Sequence, residues 1–172
     1  MMQFLCLLLL IPLVFSQKLF YEPSVPDYRA SSVNQSLFDK LAPDSSLSTF
    51  MDVLTQIEDI FNLLNHTDIT NDQQFTVFCP VNNAFREELD IYTRSHLRDF
   101  LRNHIVLGKL DPEALAKTHS VDTLLPGQTI SIKYHFFSKK TILNGHAVVD
   151  TNVEAVNGIA YKINHLLRPV QS

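Results

Sequence analysis

Thr76 to Phe85 reads TVFCPVNNAF. Thr76, Val77 and Phe78 are strand-forming residues that run into Cys79, and Pro80, Asn82 and Asn83 then supply turn chemistry. Pro80 also suits the first turn of a helix. Two roles compete for Cys79. A thiol nucleophile needs a base and a lowered pKa, at a helix N-terminus or beside a cation. A thiol reached through a buried strand has its pKa raised and packs as a small apolar group. The apolar approach Thr76-Val77-Phe78 favours the packed, inert thiol.

Upstream, Leu37, Leu41, Leu47, Phe50, Met51, Leu54, Ile57, Ile60, Phe61 and Leu64 recur at steps of three and four. That spacing predicts a short helix near 36–41, a break at Ala42-Pro43, and a longer helix near 46–64 entered through Asp44, Ser45 and Ser46. Downstream, SHLRDFLR (Ser95 to Arg102) is helical in pattern, and Asp111-Pro112-Glu113 opens another short helix. Beyond Val121 the period changes to two. Thr129 to Tyr134 alternates, Asn144-Gly145 is a hairpin turn, and Ile159, Tyr161 and Ile163 belong to a last strand. Helices gather first and strands last, so the expected class is α+β with a mainly antiparallel sheet.

The apolar run Met1 to Ser16, MMQFLCLLLLIPLVFS, carries no charge and is short for a membrane span. It reads as a cleavable secretion signal over 1–16, with a retained anchor as the alternative. Residues 17–33 lack periodicity and read as an extended leader, which leaves one domain over 34–170. Only Cys79 remains after cleavage, so the domain must stand on its apolar core rather than on an internal disulfide. Twelve Phe and an apolar content of 45% supply that core. A net charge of −4 with scattered cations argues against nucleic acid. Asn34-Gln35-Ser36 and Asn65-His66-Thr67 are acceptor sequons for N-linked glycans in this compartment.

Candidate chemistry is sparse. The seven histidines (66, 96, 104, 119, 135, 146 and 165) fall in no zinc-ligand spacing, and four glycines build no phosphate loop. Glu87-Glu88 reads as a solvated helix face and Lys139-Lys140 as a turn between strands. The pattern thus calls for no catalytic set, no metal and no cofactor.

TVFCPVNNAF resembles the first signature of the fasciclin-like adhesion domain family, whose usual run is Thr-Val-Phe-Ala-Pro, a polar pair and Ala-Phe. Leu101 to Gly108 (LRNHIVLG) resembles the family's central His-Val/Ile segment, and Asn157 to Pro169 (NGIAYKINHLLRP) its closing signature. The resemblance implies helices packed against a wedge of two mainly antiparallel sheets, with the first signature beside the closing strand. It also implies structural roles for Thr76, Phe78, Pro80, Asn82, His104, Asn157 and Gly158. Asn82 and Asn83 would brace the turn after the first strand, and His104 would be a buried histidine held by that same turn.

The implied function is a non-catalytic module for adhesion or protein contact, outside the cell or in a vacuolar lumen, as in small fungal members. Its partner would be a protein or a cell-surface or wall component, with no membrane span once the signal is cut. Integrin-binding members tend to carry an Asp-Ile pair before the closing signature. Asn152-Val153 stands at that place, a candidate adhesion segment without the acid. The competing expectation is a small-molecule or lipid carrier, or a weak enzyme, with a cleft between sheets and His104 or Cys79 at its mouth.

Overall fold

A computed structural model of the chain describes residues 34–68, 73–88 and 90–169. The expected signal over 1–16 and leader over 17–33 lie outside the described residues, as does position 170.

Helix α1 (Leu37–Leu41) starts at a reciprocal cap. The Ser36 hydroxyl accepts from Asp39 N–H, and the Asp39 carboxylate accepts from Ser36 N–H. The single helix expected over 46–64 is three pieces. Asp44 caps a 3-10 turn (Ser45–Leu47), which runs into α2 (Ser48–Thr55), and α3 (Glu58–Leu64) follows separately. The break at Gln56-Ile57 has a local cause. Thr55 Oγ1 and Gln56 Nε2 both donate to Asp52 O, and Ile57 turns extended at φ −115°, ψ 91°. Apolar periodicity survives such a bend because both pieces still present Phe50, Leu54, Ile60 and Leu64 to one core.

The first signature forms β1 (Phe75–Pro80) and then α4 (Asn82–Glu88), followed by α5 (Ile91–Ser95), α6 (Leu97–Asn103), β2 (Ile105–Leu107) and α7 (Pro112–Lys117). Asp111 caps α7, its carboxylate accepting from Ala114 N–H at 2.8 Å. The remaining strands are β3 (Ser120–Asp122), β4 (Thr129–His135), β5 (Lys140–Leu143), β6 (Ala147–Ala155) and β7 (Gly158–Ile163). Asn144 and Gly145 turn β5 into β6 with φ of 49° and 78°, as the Asn-Gly pair predicts.

The expectation of two mainly antiparallel sheets is overturned. Seven strands form one mixed sheet in the order β2-β1-β7-β6-β5-β4-β3. β1 pairs with β7 in parallel, with Val77 opposite Ala160, and the remaining pairings are antiparallel. The sheet curls until its outer strands meet, Leu124 N–H beyond β3 donating to Ile105 O in β2 at 2.8 Å. Two apolar clusters result. One packs Leu37, Phe50, Leu54 and Leu101 of the helices against Val77, Cys79 and Ala160. The other fills the inside of the curl with Phe78, Ile130, Leu143, Ile159 and Ile163. Consecutive residues of β1 therefore serve opposite clusters and the whole strand is buried, which is why it reads as continuously apolar instead of alternating.

Candidate functional site

The three sequence signatures converge on the junction of β1, β7 and the end of α6. Thr76 Oγ1 donates to Gly108 O at 2.7 Å and accepts from Leu110 N–H at 2.8 Å, anchoring the turn after β2. Tyr161, opposite Phe78 in the ladder and stacked on it at 5.9 Å, donates its hydroxyl to Leu110 O at 2.7 Å. Burial pushes that phenol well above its ordinary pKa, so it stays a donor.

Asn157 ties three elements. Its Oδ1 accepts from Leu37 N–H at 2.8 Å, its Nδ2 donates to Leu64 O at 2.9 Å, and its carbonyl accepts from Phe75 N–H. Next to it, Gly158 sits at φ +151°, where a Cβ would lie 2.0 Å from Phe75 O. Glycine is required there because β1 passes where a side chain would stand.

Asn82 sits at the start of α4 but serves the start of the neighbouring α2. Its Nδ2 donates to Ser45 O and Ser48 Oγ, and its Oδ1 accepts from Thr49 N–H at 3.0 Å. That last bond satisfies an orphan donor at the start of α2, which has no cap from Leu47. Pro80 closes β1, and Val81 N–H carries the last bond to Ile163 O. Asn83 is exposed.

His104 is wholly buried, but the expectation that the Asn82 turn holds it is overturned. Its Nδ1 lies 2.8 Å from Phe100 O, one turn back in α6, and its Nε2 lies 3.0 Å from Leu167 N. A carbonyl only accepts and an amide N–H only donates, so Nδ1 carries the proton and Nε2 is bare. Burial holds the imidazole neutral, its pKa pushed down to about 4 against the partial support of Phe100 O. The neighbouring Asn103 donates to Leu167 O at 2.8 Å. Asn103 and His104 together therefore grip both backbone groups of Leu167 and pin the segment after β7. Sequence reasoning named His104 and missed Asn103. The polar residue next to the histidine, just ahead of an apolar strand, was the available signal.

Cys79 is buried on the helix side of β1, its Sγ 3.9 Å from Val77 O, and burial pushes the thiol far up. Lys162 of β7 pairs with Asp44 instead, and that contact holds the Asp44 carboxyl below its usual range. Neither Cys79 nor His104 reaches either of two surface clefts. One, of about 460 Å³, is lined by Pro112, Tyr134, Thr141, Asp150 and Asn152. The other, of about 560 Å³, is lined by His119, Ile132 and Gly145. Among the described residues no three His, Cys, Asp or Glu side chains gather as metal ligands would. Asn152 is exposed on β6, just past a bulge that begins at Val149, with Val153 half-buried beside it. Asn34 and Asn65 are exposed, and Asn65 Oδ1 accepts from Ser36 Oγ at 3.2 Å.

The sequence model of the Fasciclin domain matches residues 45–169. The chain belongs to the fasciclin domain family. Transforming growth factor-beta-induced protein ig-h3 of Oryctolagus cuniculus is 28% identical over 159 residues, covering 83% of this chain and 22% of that protein. The Sus scrofa protein of the same name matches to the same extent, again 28% identical over 83% of this chain and 22% of its own. This fasciclin domain thus spans about a fifth of the length of the curated relatives it matches. Among solved structures, the FAS1 domain pair of the insect cell adhesion molecule fasciclin I aligns with a TM-score of 0.63. That alignment has 19% identity over 78% of this chain and 51% of the other, a likeness of fold. The curled mixed sheet with helices packed against it is accordingly the FAS1 fold. Adhesion and protein contact are the general business of such domains, and no helix among the described residues is long and apolar enough to cross a membrane.

Proposed function

We propose that this fasciclin domain is a non-catalytic protein-contact or adhesion module of the secretory route, working at a cell surface or wall or in a vacuolar lumen. One observation carries the reading. Cys79 and His104, the residues that the competing carrier or enzyme reading needs at a cleft mouth, are buried together with the structural Thr76 and Asn157, and the polar groups of Thr76, His104 and Asn157 are bonded to backbone inside the fold. Function then falls to the outer surface. Residues 1–16 act as the signal and 17–33 as the leader, the domain runs over 34–170, and glycans sit on the exposed Asn34 and Asn65. Asn152-Val153 offers an uncharged contact strand, which disfavours an integrin-type receptor and favours another protein or wall partner. The carrier reading called for a deep apolar pocket with His104 or Cys79 at its mouth, and the wholly buried positions of both weigh against it.

The full-length protein with a C-terminal tag tests the proposal. Imaging should place it at the surface or in a lumen, and intact mass should record loss of about sixteen residues. Glycosidase should shift the wild type and leave a chain with Asn34→Gln and Asn65→Gln unmoved. Surfaces coated with the purified protein should retain cells. A cytosolic, unglycosylated product that keeps Met1 and supports no attachment would overturn it.

A further inference from the structure

Among the described residues, three of the five large apolar or aromatic side chains left exposed lie on the β4–β5 hairpin. From Lys133 to Lys140 every residue is exposed, whereas Ile132 before it and Leu143 after it are buried. The hairpin therefore leaves the body of the domain as a finger. Phe136 and Phe137 form its tip, 78% and 102% exposed, their rings edge to face at 6.1 Å. Tyr134 is exposed on the same finger. The charge is local as well. Between Thr123 and Val149 the sequence holds Lys133, Lys139 and Lys140 and no Asp or Glu, in a chain whose net charge is −4. No ion pair among the described residues engages these lysines. Glu113 and Asp150 share a cleft with Tyr134 and Lys139, so Lys133 and Lys140 carry most of the uncompensated charge.

Two phenyl rings held in water are costly unless something covers them. A protein partner would have to bury about 800 Å² on each side with matched shape, which a narrow convex tip presents poorly. A bilayer needs no such match. It accepts a protruding apolar tip at the level of the acyl boundary while a basic collar meets its negative headgroups. We propose that the β4–β5 tip is a membrane-docking finger, inserting Phe136 and Phe137 into a bilayer surface that bears anionic phospholipid. Docking there would hold the domain against a membrane without a spanning segment.

The test uses the full chain with sedimenting vesicles of phosphatidylcholine alone or mixed with phosphatidylserine. Wild type should bind the anionic vesicles at least about tenfold more tightly than the neutral ones, and added salt should weaken that binding. Phe136→Ser with Phe137→Ser should lower it by about tenfold or more without moving the melting temperature, since neither ring packs in a core. The apolar run over 1–16 is common to both proteins, so the difference reads the finger alone. The chain has no Trp, so Phe137→Trp supplies a single reporter whose emission should move to the blue on anionic vesicles. Absence of vesicle binding, equal binding by the serine variant, or a Trp emission that stays unchanged while the protein sediments would each overturn the proposal. So would a concentration-dependent dimer that the serine variant abolishes, because the rings would then cover each other.

Discussion

Acid should destabilise the domain through His104, and replacing His104 by Gln should remove most of that sensitivity. The unfolded imidazole takes its proton near the ordinary value of 6.5, whereas the buried one resists until about 4. Between those values the unfolded state binds the extra proton, so stability rises with pH across the window. The contribution of neutral His104 is fully present above 6.5 and is lost as pH falls toward 4. A separation of about 2.5 units at about 1.4 kcal/mol per unit sets a ceiling near 3.5 kcal/mol, of which about 2.5 kcal/mol should be gone by pH 4.5. A Gln at 104 cannot titrate. Its Oε1 can still accept from Leu167 N–H, but the bond to Phe100 O is lost, at a cost of about 1–3 kcal/mol at neutral pH. Urea unfolding followed by far-ultraviolet circular dichroism, on both proteins at several pH values from about 7 to 4.5, measures the difference. Asp44 and Asp90, whose carboxyls are held low, also destabilise the fold on acidification, but they are common to both proteins and cancel. The gap between the two stability curves should change by about 2.5 kcal/mol on acidification, in favour of the Gln variant. Parallel curves would refute the neutral, doubly bonded histidine.

Gly158→Ala should cost more than about 3 kcal/mol or prevent folding, because the new methyl would sit 2.0 Å from Phe75 O; a melting temperature within a few degrees of wild type would contradict the close passage of β1. Cys79→Ala should cost only about 1 kcal/mol, and the native thiol should resist a disulfide reagent near neutral pH until urea exposes it, since burial raises its pKa. Asn82→Ala and His104→Ala share no hydrogen-bond partner, so their losses should add to within about 0.5 kcal/mol in a double mutant; a marked shortfall would restore the network that the sequence alone suggested.

Local rules carried far in this chain. Strand and turn chemistry in TVFCPVNNAF located β1 and α4, the Asp111-Pro112 cap located α7, and Asn144-Gly145 located the β5–β6 turn, because each depends on neighbours within a few residues. Ordered signatures then identified the fold through resemblance, and the placement of Cys79 in the core followed from its apolar approach. What the chain did locally at Gln56-Ile57 was hidden, since bent and straight helices bury the same apolar rows. Pairing across the fold was hidden in part. The resemblance set the first signature beside the closing strand, as the structure has it, but the parallel direction of that pairing, which joins residues more than eighty positions apart, is not recorded in the pattern of a single buried strand. His104 is the clearest case. Its burial was legible from the apolar strand that follows it, but Leu167 N–H, its actual partner, comes within reach only when the closing segment folds back over the end of α6. The same holds for the exposed finger: Lys139-Lys140 read as an ordinary turn, and only the tertiary structure, by leaving Phe136 and Phe137 uncovered, made that turn a surface with its own chemistry.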